Sequence, residues 1–294
     1  MLRSRPARIR RSPQAPRKRL IVDAQAHLWK ANSPDYPWEA GVTPQLPEPF
    51  TYERALPLMD AAGIDRVVIV PPGLNDINTY GLEAAAKHPT RFAVMGRIPL
   101  ENPKSAELLP KWKEQKGMLG VRVTFNNPKH NALLTGKEID WFWAGAEKAK
   151  LPVMFLAFGR VQLFAPIAER HPGLPLIIDH MGVNQAVNKD GKLAEAIGNA
   201  VALAKYPNVS VKLSNLPSAS LEAYPFKDLH DHIKRVYDAY GPQRCHWGTD
   251  VTNNMGKADW GKRLAHFTEE IKFISEADKD LVLGRSILTK LGWA

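Results

Sequence analysis

The strongest restriction on this chain is a unit that recurs from residue 20 onward: a helical stretch, a Gly or Pro stop, then a short apolar run. Arg66-Val-Val-Ile-Val70 is a clear instance, a continuous β-branched run closed by Pro71-Pro72, as expected of a strand buried on both faces. Similar runs lie at 20–27, 91–97, 120–125, 152–158, 176–180, 209–213 and 245–250. Helical stretches at 51–62, 76–88, 103–116, 136–150, 161–170, 191–205, 226–240 and 262–276 alternate with them, with a further short one near 279–291. Thr51 and Asp76 stand where helix caps are needed, and Gly63 where the first helix must stop. Eight strands joined by helical crossovers imply parallel pairing, and eight such units are what a (β/α)8 TIM barrel requires, here one domain over 20–294. An open doubly wound sheet is the alternative, but no GxGxxG or GxxxxGK[ST] turn follows any strand.

Residues 1–19 differ from the rest. They hold eight of the 40 basic residues, three prolines and no acid, so the net charge of +10 falls to about +2 for the remainder. The expectation is a disordered or extended basic N-terminal extension on a nearly neutral domain. No nucleic-acid recognition motif accompanies it, and no apolar stretch approaches the roughly 18 residues of a membrane span. The single Cys245 excludes an intramolecular disulfide and cysteine-based metal clusters, which suits a reducing cytoplasm. The expected partner is a small-molecule substrate, with no nucleic acid and no membrane, and homo-oligomerisation is left open.

The chemistry gathers at the carboxyl ends of the strands, the face where barrels place their sites. In Leu20-Ile-Val-Asp-Ala-Gln-Ala-His27, residues two apart share a face, so Gln25 and His27 project together. Arg122, Asp179, His180, Lys212, Ser214 and Asp250 end later strands. Asp179, adjacent to His180 on an extended strand, is expected to face the other way and to take a supporting part. His246, out of phase with Trp247, is expected to pack, and His88, His130, His171, His230 and His232 to be solvated. The long connection 27–50, with Trp29, Tyr36 and Trp38, reads as a lid or pocket wall. Trp29, Phe155, Phe158 and Trp247 are the candidate apolar contacts, with Phe155 better placed in ordinary barrel core.

Five pieces in order, Asp23-Ala-Gln-Ala-His-Leu-Trp29, Gly120-Val-Arg122, Ile178-Asp-His-Met-Gly182, Val211-Lys-Leu-Ser214 and Trp247-Gly-Thr-Asp250, resemble the amidohydrolase 2 family. The likeness spans about 20–292 and is greatest to its lactonase-type branch, which includes 2-pyrone-4,6-dicarboxylate lactonase and sugar lactonases. It implies a (β/α)8 barrel that hydrolyses a lactone or related carboxylic ester. Metal-bearing members hold a divalent ion with a first-strand H-x-H pair, a fifth-strand His, a sixth-strand His and an eighth-strand Asp.

This chain departs twice, with Gln25 in place of the first His and no imidazole in 153–158. His27, His180 and Asp250 could still offer zinc three donors, but an amide is a poor substitute for imidazole, so a metal-free site with no cofactor is expected. In that reading Asp250 is the general base, and His27, His180 and Gln25 polarise the carbonyl. Arg122 and Lys212 hold a substrate carboxylate, and Trp29 and Trp247 contact the ring. Val183 and Asn215 stand where relatives acting on dicarboxylates look arginine-rich, which favours a less charged substrate. The rivals are a metal-dependent hydrolase or nonoxidative decarboxylase with His27, His180 and Asp250 as ligands, and a non-catalytic small-molecule-binding barrel.

Overall fold

The computed structural model describes residues 19–74, 78–126 and 128–294. The expected extension, save Arg19, and the expected cap Asp76 lie outside these residues, as does the side chain of His130. Eight strands, β1 (Val22–Ala26), β2 (Arg66–Ile69), β3 (Phe92–Gly96), β4 (Met118–Thr124), β5 (Val153–Leu156), β6 (Leu176–Ile178), β7 (Val209–Leu213) and β8 (Cys245–Trp247), follow one another around a single sheet in chain order. All seven neighbouring pairs are parallel. The result is the (β/α)8 barrel the alternation implied.

Alternation along each strand divides the core into two layers. Along β2, Val68 belongs to the inner cluster with Val22, Ala24, Ala93, Met95, Met154 and Ile177, whereas Val67 and Ile69 join the larger layer between strands and helices. Helix α1 (Tyr52–Ala62) begins where the Thr51 hydroxyl accepts the Arg54 N–H at 3.3 Å, and ends at Gly63 with φ 74°. The stretch expected as a helix over 103–116 is a 3₁₀ turn, Pro103–Glu114, because Pro110 within it has no N–H to donate. The stretch expected over 136–150 is the helix Asp140–Lys148, and a further short helix, Pro128–Thr135, precedes it.

Two strands stop earlier than the apolar runs suggest. β6 ends at Ile178, and His180 and Met181 both take φ 56°. β8 ends at Trp247, and Asp250 takes φ 52°. Between β8 and β1 the join is made largely by one side chain. Asp23 Oδ1 accepts the N–H of Thr249 at 2.7 Å and of Gln25 at 3.0 Å, while Oδ2 accepts the Trp260 indole N–H at 2.7 Å and the Thr249 hydroxyl. The Asp250 N–H then donates to the Gln25 carbonyl at 2.8 Å. Gly248 permits the approach: a Cβ there would lie 3.2 Å from the Gln25 nitrogen and 3.3 Å from the Ala24 Cβ. At the other end Arg19 clamps the carboxyl-terminal segment, with Nε 2.5 Å from Asp280 and Nη2 2.9 Å from Glu276. No helix among the described residues is long and apolar enough to cross a membrane.

Candidate active site

At the carboxyl ends of the strands lies a cavity of about 440 Å³, lined among others by Gln25, His27, Arg122, His180 and Asp250. Strands β1, β6 and β8 therefore deliver their end groups to one place. His27 Nδ1 lies 2.6 Å from the Val70 carbonyl, to which it can only donate, and this bond directs Nε2 at Asp250 Oδ1, 3.1 Å away. Asp250 Oδ2 stands 3.6 Å from His180 Nε2 and accepts the Asn253 amide N–H at 3.2 Å. Burial opposes ionisation of Asp250, but the facing His27 outweighs it and holds the carboxyl well below its usual range. His180 is driven the other way: burial depresses it to about 4 against the pull of Asp250 and Asp179, so its ring is neutral at pH 7.

Beneath the cavity runs a second, fully buried set. Lys212 reaches the Gln25 Oε1, and its Nζ lies 2.7 Å from Asp179 Oδ1 and 3.3 Å from Met154 Sδ. Asp179 Oδ2 accepts from Arg122 Nε at 3.2 Å, and Arg122 Nη1 donates to Thr124 Oγ1 at 2.5 Å. Burial would raise Asp179, yet Lys212 and Arg122 keep it a carboxylate below its ordinary value. Burial lowers Lys212 despite that partner. Gln25 Nε2 lies 3.3 Å from His180 Nε2, and His180 Nδ1 lies 2.7 Å from Ser214 Oγ.

Of the residues expected at the site, Gln25, His27, Trp29, Arg122, His180 and Asp250 line the cavity. Lys212 and Trp247 do not. Lys212 is fully buried under the floor with its donors engaged, so it cannot meet a substrate carboxylate directly. Trp247 points into the outer layer, against a void of about 10 Å³ that it shares with Phe226 and Phe267. Phe158 lines the cavity and stacks on His180 at 6.1 Å, whereas Phe155 stacks on Phe164 at 3.6 Å in the outer core. The connection 27–50 supplies Trp29, Thr43, Pro44 and Gln45 to the cavity wall. His246 is buried against Ser286 at 2.8 Å, and His230 is not simply solvated, since its Nε2 meets the buried His266 at 2.9 Å.

Arg97, Thr124 and Asn253, which no sequence feature marked out, line the cavity too, as does Asn215, the residue standing where relatives acting on dicarboxylates look arginine-rich. Asn215 follows β7 in a left-handed conformation, φ 57°. Its Oδ1, like the Trp29 indole Nε1, is buried with no hydrogen-bond partner among the described residues. A side cavity of about 330 Å³ shares Gly73, Arg97, Arg122 and Thr124 with the first.

The family model for amidohydrolases (Amidohydro_2) matches residues 22–285. The chain belongs to the amidohydrolase family. This amidohydrolase-family hydrolase falls with the lactonase-type branch that the sequence pieces resemble. It is similar to L-fucono-1,5-lactonase of Burkholderia multivorans, 25% identical over 245 residues that cover 79% of this chain and 81% of that protein. The L-fucono-1,5-lactonase of Burkholderia ambifaria is 26% identical over 262 residues, 83% of this chain and 85% of that one. Among solved structures, an amidohydrolase of Burkholderia multivorans with bound zinc superposes with a TM-score of 0.79 at 23% identity, covering 94% of this chain and 100% of that one. At that identity the likeness speaks for the fold alone.

Proposed function

We propose that this amidohydrolase-family protein hydrolyses a hydroxyl-bearing lactone by direct attack of water, with Asp250 as general base. The observation that carries the reading is the convergence of an ionised Asp250, His27 and a neutral His180 on one cavity, with 3.1 and 3.6 Å between their facing atoms. Asp250 Oδ2 offers a lone pair toward the cavity, so a water donating a hydrogen to it would turn its own lone pairs toward a carbonyl above it. Asp250 takes a proton as the water adds, and the C–O bond to the ring oxygen breaks. The proton then passes to that leaving oxygen, giving the open hydroxy acid. His27, anchored on Val70, holds the carboxylate in place.

The Gln25 amide has two hydrogens on Nε2, one toward His180 and a second for the oxyanion that forms. One such donor is typically worth about 10²- to 10³-fold in rate. His180 thus takes part as the acceptor that orients the Gln25 amide, rather than as the carbonyl-polarising donor the sequence suggested. Arg122 spends Nε on Asp179 and one Nη1 hydrogen on Thr124, which leaves its second Nη1 hydrogen and both hydrogens of Nη2 for polar groups of a lactone ring. The unpartnered Asn215 Oδ1 and Trp29 Nε1 suit hydroxyls on such a ring, as an acceptor and a donor respectively. The relatives named L-fucono-1,5-lactonase support the same substrate class.

A divalent ion does not suit this donor set. Lys212 occupies the Gln25 oxygen, so the amide turns N–H groups, not a lone pair, toward the place a metal would need. β5 contributes Met154, Phe155 and Leu156 and no imidazole. Among the described residues no group of three or more His, Cys, Asp or Glu side chains is arranged to hold a metal. No step of the mechanism is therefore routed through one.

The test is a panel of aldonolactones, 2-pyrones and acyclic esters, with acid release followed in a pH-stat. Turnover of the hydroxylated lactones above the others is expected. Hydrolysis of none of them, with ligand-induced thermal shifts retained, would make the barrel a binding protein instead.

A further inference from the structure

We propose that Lys212 is a positioning residue for this site: by taking the Gln25 amide oxygen it fixes which group of that amide meets the substrate and which nitrogen of His180 carries the ring hydrogen. An ammonium has three hydrogens and no lone pair, so the Gln25 atom beside Lys212 Nζ must be the oxygen. The amide nitrogen is then the atom 3.3 Å from His180 Nε2, and it can only donate. His180 Nε2 is therefore an acceptor, its ring hydrogen sits on Nδ1, and Nδ1 donates to Ser214 Oγ at 2.7 Å. One buried side chain thereby sets the tautomer of a histidine that it does not touch.

The same Nζ also pairs with Asp179, and Asp179 with Arg122, so Gln25 is joined to the cavity-lining Arg122 through three buried contacts. Arg122 Nε and Lys212 Nζ each hold one oxygen of that carboxylate, which leaves neither base free to swing.

The placement is not what stability alone would select. Lys212 is 0% exposed and lies against the Met154 sulfur in the inner apolar cluster, where a methionine or leucine would pack without desolvating a charge. What an apolar side chain there cannot do is distinguish the two ends of the Gln25 amide. Without Lys212 the amide can turn over, present its oxygen to His180 Nε2 and draw the ring hydrogen across to that nitrogen. The oxyanion donor would then be lost. The fixed positive charge under the floor also lies on the side where attack on a carbonyl builds negative charge.

The experiment uses the full chain with ¹⁵N-labelled histidine, the His180 ring being assigned by its disappearance in His180→Gln. In the wild type the His180 ring is expected as the Nδ1–H tautomer at pH 7. In Lys212→Met the ring is expected to move to Nε2–H or to a mixture. Turnover of the best lactone is expected to fall about 10²-fold, the worth of one preorganised donor, with KM changed less. Adding Gln25→Leu to Lys212→Met should then cost little more, because the two act as one unit. A wild-type His180 protonated on Nε2 overturns the proposal, as does a Lys212→Met enzyme with the wild-type tautomer and turnover. Should Lys212→Met not fold, Lys212→Met/Asp179→Asn removes both charges together, and the wild-type tautomer decides without any variant. The kinetic arm rests on the lactone reading; the tautomer arm does not, so a failed substrate screen and a failed positioning role are read separately.

Discussion

Asp23, on the first strand, accepts the backbone N–H of Thr249 at 2.7 Å, one residue before the proposed base Asp250. The last strand's exit is thus pinned to the first strand by a carboxylate with four donors around it, two from Thr249, one from Gln25 and one from Trp260. Asp23→Asn replaces one of those oxygens by an NH₂ that must face a donor. Leaving a buried group so mismatched costs on the order of 3 kcal/mol. The expected outcome is that much loss in urea unfolding together with at least a tenfold drop in turnover, since both Gln25 and Asp250 hang from this contact. An unchanged rate would detach the seam from the chemistry.

Asp250→Asn keeps the volume and the Asn253 contact but removes the base. Turnover of the lactone should fall about 10²- to 10⁴-fold, the usual worth of a positioned general base. Circular dichroism should be unaltered. A fold-intact Asp250→Asn enzyme at wild-type speed would remove this residue from the mechanism.

The histidines give the protein a pH-dependent stability of known sign. Burial lowers His180 to about 4 and His266 to about 4, from an ordinary 6.5. Such rings take up protons more readily in the unfolded chain, so their contribution is whole above pH 6.5 and lost as the pH falls toward 4. Asp250, held under its ordinary 3.8 by His27 in spite of burial, adds its loss only below that value. Melting temperature should therefore decline steadily from pH 6.5 to 4, with a further fall beneath. Activity, which needs a neutral His180 ring to orient the Gln25 amide, should persist at pH 5. A melting temperature flat across pH 7 to 4 would contradict these burials.

Chelation supplies the fourth test. With no divalent ion in the mechanism, dialysis against EDTA should leave turnover within about twofold, and added zinc should not raise it. Loss on dialysis with recovery on zinc would require His27, His180 and Asp250 to act as ligands.

Much of this was legible in the chain because barrel strands announce themselves. β-branched runs with Gly or Pro stops gave all eight in order, and the polar ends at Gln25, His27, His180 and Asp250 do share one cavity. What failed was alternation carried past a strand's true end. β6 stops at Ile178 and the backbone turns left-handed at His180, so Asp179 and His180 do not simply point to opposite faces. Asp179 reaches Arg122 and Lys212, while His180 reaches Ser214 and faces Asp250. Lys212 sits on a regular strand, but one whose inward residues lie below the cavity rather than in it. Arg97 and Asn253 went unread because they lie at strand ends or in loops, where no period marks a side chain's direction.

The left-handed residues at the strand exits have a consequence for how such an enzyme can be improved. His180, Met181, Asn215 and Asp250 all hold φ between 52° and 57°, a region in which a residue with a Cβ is strained by roughly 1–2 kcal/mol and glycine is not. Glycine at any of them would relieve that strain, but all four side chains are buried, so the cavity left behind costs more than the strain returns, and at His180 or Asp250 the change would also remove a residue of the proposed mechanism. A thermostable version must therefore be sought elsewhere in the sequence.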